Sequence, residues 1–205
     1  MNPEMTRELL EPGYLPLETG YRRLDDGLLL VAALTRMPGC SGKMVDWWFG
    51  WVGDTEKYKL WHPSDHIIGD WDERWRPGHY IGASHLVHEY IGGKLAKLKI
   101  TFVEPKKLLD TSRFAEAKIG AAVCGRVGLL DQDVRLGYLL HLVRETEFGC
   151  EMRSRFWLEK APDELGRGLL KHCLEEMGNL AELLPRLYQR ETGGDKEDAA
   201  STPVR

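Results

Sequence analysis

The stretch 163–188, DELGRGLLKHCLEEMGNLAELLPRLY, decides the fold, because its leucines recur with the period of one long helix. Pro162 precedes it in a position that a first helical turn tolerates, and Asp163 and Glu164 favour the positive end of the helix dipole. At about 100° per residue, the apolar side chains fill one arc of the helix, and most charged residues fall opposite. We expect this helix to end near residue 188 and to bend or break at Pro185.

One carboxylate lies inside the apolar arc of this helix. Glu176 is about 40° from His172, which stands at the edge of the arc, and Asn179 follows one turn on. Burying an ionised carboxylate destabilises a protein by several kcal/mol unless a partner compensates it. A His–Glu pair on the surface would instead share the charged face and contribute only a few tenths of a kcal/mol. The position of the pair therefore favours a metal-binding or catalytic role.

Upstream of this helix the sequence is mostly of the β type. The run LLLVAAL within residues 21–37 predicts a buried strand that ends before Pro38. Ser41 is a candidate N-cap for a short helix over MVDWWFGWVG, and residues 57–92 are expected to be irregular or short-stranded. Four more strands are predicted, the last two as a hairpin: 94–103, 118–128, 135–145 and 150–158. Strands followed by one amphipathic helix predict a curved antiparallel sheet around that helix, with a cavity between them.

Composition limits the classes of protein that this chain can belong to. With 205 residues and a formal net charge of -4, one domain is expected, and the electrostatic footprint of a nucleic-acid-binding protein is missing. No apolar run approaches the ~18 residues of a membrane span, and the polar N-terminus is unlike a signal peptide. The four cysteines are scattered without a CxxC motif, which favours free thiols and a cytoplasmic location. We expect a single domain over 1–190, with a loose arm over 1–12 and a disordered tail over 191–205.

A second group of candidate ligands lies in the middle of the chain. One helix supplies at most two ligands, so a zinc site of three or four groups needs others from separate elements. Five of the seven histidines fall in this central segment: His62, His66, His79, His85 and His88. We expect three of these five to be surface or packing residues. If the segment after them is extended, Glu89 shares a face with Val87 and Ile91, which again indicates a buried carboxylate.

Two further sets of side chains are candidates for the walls of the cavity. His141 and Glu145 share one face of a predicted strand, where they could complete the site or donate protons. Four tryptophans could present flat surfaces to an aromatic ligand, although core packing is the commoner role of this residue: Trp47, Trp48, Trp51 and Trp61.

Several blocks of this sequence, in this order, resemble the 2,4-diacetylphloroglucinol hydrolase family, which includes phloretin hydrolase. They are MVDWWFGW, YKLWHPSDH, HEYIGGKLAKLKITFVEP, HLVRETEFGCEMRSRFWL and HCLEEMGNL, and they cover roughly residues 40–190. The resemblance implies an α+β helix-grip (Bet v 1-like) fold. It also implies hydrolysis of the carbon–carbon bond between an acyl carbonyl and a polyphenol ring, with zinc held by two histidines and two glutamates.

The resemblance assigns roles to particular residues. The implied metal ligands are His66, Glu89, His172 and Glu176, with His62 as the alternative to His66. Tyr58 and His141 are the expected catalytic residues, and the expected substrate contacts are Trp48, Trp61 and Asn179. Iron and manganese also accept this ligand set. The chain is shorter than the diacetylphloroglucinol enzyme before the first strand and ahead of the last helix, so the identity of the substrate does not transfer.

The implied reaction is attack on the carbonyl of a small aryl ketone by a water molecule that the metal activates. The alternative is a helix-grip binding protein or a cyclase-like protein that holds an aromatic or hydrophobic ligand without metal. In that case Glu89 and Glu176 would be protonated, or paired with His172 and arginines. Neither nucleic acid nor a membrane is an expected partner, and a homodimer is left open.

Overall fold

The computed structural model describes residues 4–193, which form four helices and eight strands. The helices are α1 (Glu4–Arg7), α2 (Gly42–Trp51), α3 (Thr55–Trp61) and α4 (Asp163–Thr192). The strands are β1 (Gly20–Arg23), β2 (Leu29–Pro38), β3 (His66–Trp71), β4 (Ser84–Ile91), β5 (Lys94–Val103), β6 (Ile119–Leu129), β7 (Arg135–Thr146) and β8 (Gly149–Leu158). Of the tail predicted over 191–205, residues 194–205 lie outside the described part of the chain.

All eight strands form one antiparallel sheet in the order β1-β2-β8-β7-β6-β5-β4-β3. Strands β3 to β8 are a meander, and β8 closes the arrangement by pairing with β2 along its whole length. Helix α4 packs on β1, β2 and β4 and also contacts α2 and α3. The predicted curved antiparallel sheet around a long C-terminal helix is therefore confirmed.

The core between the sheet and α4 follows the apolar arc of the helix. Met177, Leu180 and Leu184 are fully buried there, together with Leu29 and Val31 of β2. Glu176 and His172 are buried on the same face, as the helical pattern predicts. The fold therefore points two polar side chains into an otherwise apolar interior.

Of the bend or break expected at Pro185, the break does not occur, because α4 is continuous through this residue. The helix continues to Thr192, where Gly193 adopts a left-handed conformation that terminates it. Proline at this position leaves the carbonyl of Ala181 without its usual helical donor. The thiol of Cys40 approaches that oxygen at 3.6 Å and supplies a weak replacement. Packing against a neighbouring segment thus compensates a local defect.

The segment 21–37 is a hairpin rather than one strand. Gly27 has a φ of 85°, and it closes a turn between β1 and β2 just before the apolar run, where the sequence Asp25-Asp26-Gly27 is a turn signal that the sequence-based assignment missed. Residues 57–92 are also more regular than expected, because they contain most of α3 and all of β3 and β4. Ser41 caps α2 as predicted, with its hydroxyl oxygen accepting a hydrogen bond from the Met44 N–H.

The N-terminal segment is packed, and the expectation of a loose arm over 1–12 does not hold for the described residues. Leu9 and Leu10 are buried against the outer face of the sheet, where they contact a second apolar cluster that includes Leu140, Leu142 and Trp157. Strands β7 and β8 are buried on both faces, and the outer face of β8 carries Arg153, which donates a hydrogen bond to the Leu9 carbonyl at 2.9 Å. The outer face therefore needs a cover that the local sequence of the arm does not reveal.

Two further observations concern the chain as a whole. All four cysteines are buried free thiols, as the sequence predicts. Within residues 4–193, none of the helices is both long and apolar enough to cross a membrane.

Candidate metal centre

Four polar side chains from the sheet and from α4 converge in the interior. His66 is the first residue of β3, and it pairs across the sheet with Glu89 of β4. His172 and Glu176 come from consecutive turns of α4, which packs on this end of the sheet. All four are buried, and the alternation of β4 places Glu89 on the same inward face as Val87 and Ile91, as predicted.

The distances between these groups fit a small cation. The Nε2 atom of His66 is 3.7 Å from Glu89 Oε2 and 3.6 Å from Glu176 Oε2. The Nε2 atom of His172 is 3.8 Å from Glu89 Oε2 and 3.9 Å from Glu176 Oε2. Bond lengths of about 2.0–2.2 Å around tetrahedral zinc correspond to ligand separations of roughly 3.3–3.6 Å. The four separations between a histidine nitrogen and a glutamate oxygen are at most a few tenths of an ångström longer than this. The ligand atoms of His66, Glu89 and His172 all lie within 4.8 Å of one another.

The orientation of His66 leaves one ring nitrogen available. Its Nδ1 donates a hydrogen bond to the Tyr58 carbonyl at 3.0 Å, a group in the last turn of α3. The phenol ring of Tyr58 stacks on the imidazole, with centroids 3.7 Å apart and planes 4° apart. Within residues 4–193 the buried Nε2 of His66 has no hydrogen-bond partner. An unpaired lone pair aimed at two carboxylates is what a metal ligand requires.

His172 is oriented by a residue that the sequence analysis did not identify. Asp65, immediately before His66, accepts a hydrogen bond from His172 Nδ1 at 3.1 Å. The carboxylate fixes the tautomer that exposes Nε2, an arrangement common behind zinc-bound histidines. The only sequence signal for Asp65 is that it lies in the WHPSDH block, and no spacing rule connects this block to a helix more than 100 residues away.

The charges of the site favour the ionised form of Glu176. Burial would raise the pKa of Glu176, but the neighbouring imidazoles, His66 and His172 above all, outweigh it and hold that pKa below its usual value. Burial would lower the pKa of His172, but Glu176, Glu89 and Asp65 outweigh it and raise that pKa. Anionic oxygens beside imidazole nitrogens form a donor set that suits a divalent cation of the zinc type.

His62 does not join this group, so the geometry distinguishes it from His66. Its Nε2 lies 3.6 Å from Asp65 Oδ2 and 3.6 Å from Glu175 Oε2, on the more exposed side of His172. Burial and the nearby His172 lower the pKa of His62. The backbone N–H of Asp65 donates to its Nδ1 at 3.3 Å. His62 instead belongs to a second candidate cluster with Asp65 and His172, whose ligand atoms lie within 4.8 Å of one another, and its ring is parallel to that of His172.

Both predicted catalytic side chains border the centre. The hydroxyl of Tyr58 donates a hydrogen bond to Glu89 Oε2, and burial together with that glutamate raises the pKa of Tyr58 well above its usual value. Burial lowers the pKa of His141 to about 4, and its Nδ1 lies 2.8 Å from the hydroxyl oxygen of Ser154. Both groups are uncharged at neutral pH and can exchange hydrogen bonds with a neutral ligand. Glu145 lies elsewhere and caps α2 through the Gly42 N–H at 2.7 Å.

A small cavity of about 60 Å³ lies beside these groups. Its polar walls include Tyr58, Glu89, His141 and Glu176. The remaining lining residues, mostly aromatic or aliphatic, are Phe49, Trp61, His85, Ile100, Phe102, Leu139, Phe156, Leu169 and His172. The cavity is therefore apolar except where the metal-centre residues and a few neutral polar groups enter it, as in many ligand sites.

Two of the three predicted substrate contacts do not reach this cavity. Trp61 lines it, but Trp48 is fully buried in an aromatic cluster behind Trp61, at a centroid distance of 5.7 Å. Asn179 is exposed, and its amide donates to the Trp61 carbonyl at 3.0 Å. On the helix surface Asn179 lies just beyond His172, outside the buried arc, which explains why proximity on the wheel was misleading.

His85 is a cavity residue to which the sequence analysis gave no role. It lies on β4 two residues before Val87, on the same inward face, and burial lowers its pKa to about 3. Alternation with Glu89 was the signal that could have identified it. The remaining central histidines fit the expectation of surface residues better, since His79 is exposed and His88 is partly exposed.

Comparisons with known proteins identify the family of the chain. A family model described as "DAPG hydrolase PhiG domain" matches residues 2–162, a span that includes His66 and Glu89 and ends just before α4. The chain is 30% identical over 227 aligned positions to a 2,4-diacetylphloroglucinol hydrolase from a Pseudomonas species, covering 91% of this chain and 76% of that protein. It is 30% identical to phloretin hydrolase from Eubacterium ramulus, covering 84% and 72%.

A solved structure supports the fold alone. Ginseng major latex-like protein 151 from Panax ginseng superimposes with a TM-score of 0.52 at 14% identity, covering 76% of this chain and 96% of that one. The helix-grip class predicted from the sequence is thereby confirmed.

Proposed function

The chain belongs to the DAPG hydrolase family, and from that premise we propose that it is a zinc-dependent hydrolase of C-acylated polyphenols. The bond cleaved would be the one between the acyl carbonyl carbon and the aromatic ring. The products would be a carboxylic acid and the free phenol. The alternative of a metal-free binding protein is less well supported, because it leaves two buried carboxylates beside an unpaired imidazole nitrogen.

The observation that carries this proposal is the convergence of four ligand atoms around the unpaired Nε2 of His66. His66, Glu89, His172 and Glu176 would hold the metal. Asp65 would keep the imidazole of His172 in the required tautomer. When bound, zinc supplies Lewis acidity that polarises a carbonyl and activates water near neutral pH.

The residues around the cavity can carry out the remaining steps. Overall, the acyl carbon gains the oxygen of a water molecule, and the electron pair of the broken bond stays on the ring carbon, which takes up a proton. Tyr58 keeps its proton at neutral pH because its pKa is raised, so its hydroxyl can donate toward the ring or a phenolic oxygen. His141 is neutral and lines the same cavity, so it can bind a second phenolic group.

Substrate binding requires the cavity to enlarge. Its volume of about 60 Å³ is well below the roughly 300–1,000 Å³ of typical ligand pockets. Phe49 of α2 and Trp61 of α3 are the wall residues that we expect to move, because the helices are not tied into the strand ladder. Closure around the substrate would exclude bulk water from the reacting carbonyl.

The test combines metal analysis with a substrate panel. Protein purified without a metal-affinity tag should contain about one zinc per chain, and Glu176→Gln should contain none while remaining folded. Glu182→Gln, on the exposed side of the same helix, is the matched control and should retain the metal. The panel contains acylphloroglucinols, dihydrochalcones and simple aryl esters, with acid release followed by chromatography. Hydrolysis of esters without turnover of any ketone, or full ketone turnover by metal-free protein, would refute the proposal.

A further inference from the structure

His85 is a buried polar side chain in the cavity wall that neither the metal centre nor the proposed proton transfers use. Its backbone pairs with Trp71 of β3 and Ile100 of β5, in the interior of the sheet. The side chain is only 3% exposed and points to the same face of β4 as Glu89. It therefore lies beside the place where an aromatic ring would have to bind for its acyl group to reach the metal centre.

Two aromatic rings fix the orientation of His85. Its imidazole stacks on Trp71, with centroids 4.4 Å apart and planes 14° apart. The ring of Tyr58 meets it edge-on at 4.9 Å. Trp71 is itself held in place, because its indole N–H donates to the Val52 carbonyl at 2.7 Å. These contacts fix the plane of the imidazole in the absence of ligand, so the group is pre-organised for recognition.

The clamped ring has an unsatisfied nitrogen. Among the described residues 4–193, the buried Nε2 of His85 has no hydrogen-bond partner. Buried polar atoms in native proteins are nearly always paired, so an exception in a cavity wall indicates a partner supplied by a ligand. The substrate class proposed above carries hydroxyl groups around its ring, and a hydroxyl can both donate to and accept from an imidazole nitrogen.

We propose that His85 forms a hydrogen bond with a ring hydroxyl of the polyphenol and makes the enzyme select hydroxylated rings. This inference rests on the proposed function, since it identifies the feature of the substrate that the same cavity recognises. The hydroxyl concerned is one that does not take part in bond cleavage. Its loss should therefore weaken binding of the ring more than it slows the chemical step.

The first experiment measures binding without catalysis. Phloroglucinol and resorcinol, which differ by one hydroxyl, are titrated into the zinc-loaded protein by calorimetry. The wild type should bind phloroglucinol more tightly by roughly 3–10-fold, the ratio expected of one net hydrogen bond. In His85→Phe, which retains an aromatic ring against Trp71, this ratio should fall to about one. Equal ratios in the wild type and in His85→Phe, or no phenol binding by the wild type, would overturn the proposal.

The second experiment uses turnover and a conservative variant. Ketones with three and with two ring hydroxyls are compared by their kcat/KM values. The preference of the wild type should disappear in His85→Phe, mainly through KM, and should be partly restored in His85→Gln, whose amide can reach a hydroxyl. His79→Phe is the control, because His79 is exposed. A preference unchanged in His85→Phe would refute the role. If no ketone is cleaved by any protein, the proposed function fails, while the calorimetric comparison still decides the role of His85.

Discussion

The replacement Tyr58→Phe isolates one hydroxyl group at the centre of the proposed mechanism. Phenylalanine retains the ring that stacks on His66 at 3.7 Å, so the proposed metal ligand keeps its packing. It also retains the backbone carbonyl that accepts from His66 Nδ1. The change removes only the hydrogen bond from the hydroxyl to Glu89 Oε2 and the proton that this hydroxyl can donate.

The expected effects follow from those two losses. A positioned proton donor contributes about 10²-fold or more to a rate, so kcat should fall by about 10²-fold, equivalent to roughly 2.7 kcal/mol of activation free energy. A hydrogen bond contributes a net stability of about 0.5–1.5 kcal/mol. For a chain of this size, its loss should lower Tm by roughly 1–6 °C. Zinc occupancy should remain close to one per chain, because all four ligands are intact.

Steady-state kinetics on a cleaved ketone, metal analysis and thermal unfolding measure these three quantities on the same sample. A kcat within about threefold of the wild-type value would show that the hydroxyl takes no part in the reaction. Loss of zinc from Tyr58→Phe would show that the hydroxyl acts by positioning Glu89, and the assignment as a proton donor would then be wrong.

Three further outcomes are expected. At a free zinc concentration about 100-fold above the dissociation constant, bound metal contributes about 2.7 kcal/mol to stability. Adding a chelator should therefore lower the wild-type Tm by roughly 5–11 °C. The Tm of Glu176→Gln should not change. Asp65→Asn should weaken zinc binding by about 10–100-fold, as replacements behind metal-bound histidines do; competition with a chromogenic chelator measures this, and an unchanged affinity would contradict the orienting role. In Gly42→Ala the new Cβ would lie 2.2 Å from the Gly120 backbone. Such overpacking costs about 1–3 kcal/mol, so the Tm should fall by roughly 2–12 °C. Gly178→Ala is the control, because open space surrounds that position and the substitution should not destabilise the protein.

The sequence predicts the architecture well because the signals that determine it are local. The apolar period of α4 and the alternation of β4 place Glu176 and Glu89 on buried faces, and the structure has them there. The errors arise where local and tertiary effects compete. Pro185 is expected to bend or break the helix, but α4 continues to Thr192 and the thiol of Cys40 contacts the carbonyl that proline leaves free. The turn at Gly27 is a different kind of error, because Asp25-Asp26-Gly27 is a local turn signal directly before the apolar run and was available in the sequence.

The composition of the candidate site was only partly accessible from sequence. The choice between His62 and His66 depends on where β3 begins, and the chain enters that strand at His66 after a non-helical segment around Pro63. Asp65 acts on His172, which is 107 residues away, so no spacing rule identifies it. Ser154 lies opposite His141 in the β7–β8 hairpin, and identifying it requires the register of that hairpin. These partners depend on register between elements, which a single sequence determines poorly.

The two buried glutamates explain why the site is recognisable at all. An apolar position occupied by a carboxylate violates the local pattern, and such a violation persists only where another interaction offsets its cost. Here two violations, on β4 and on α4, meet at the same imidazole nitrogen, which has no other partner. A single buried glutamate could be neutralised by a proton or an arginine. Two that converge on His66 from different elements favour the divalent cation that we propose, because such an ion would place one positive charge beside both.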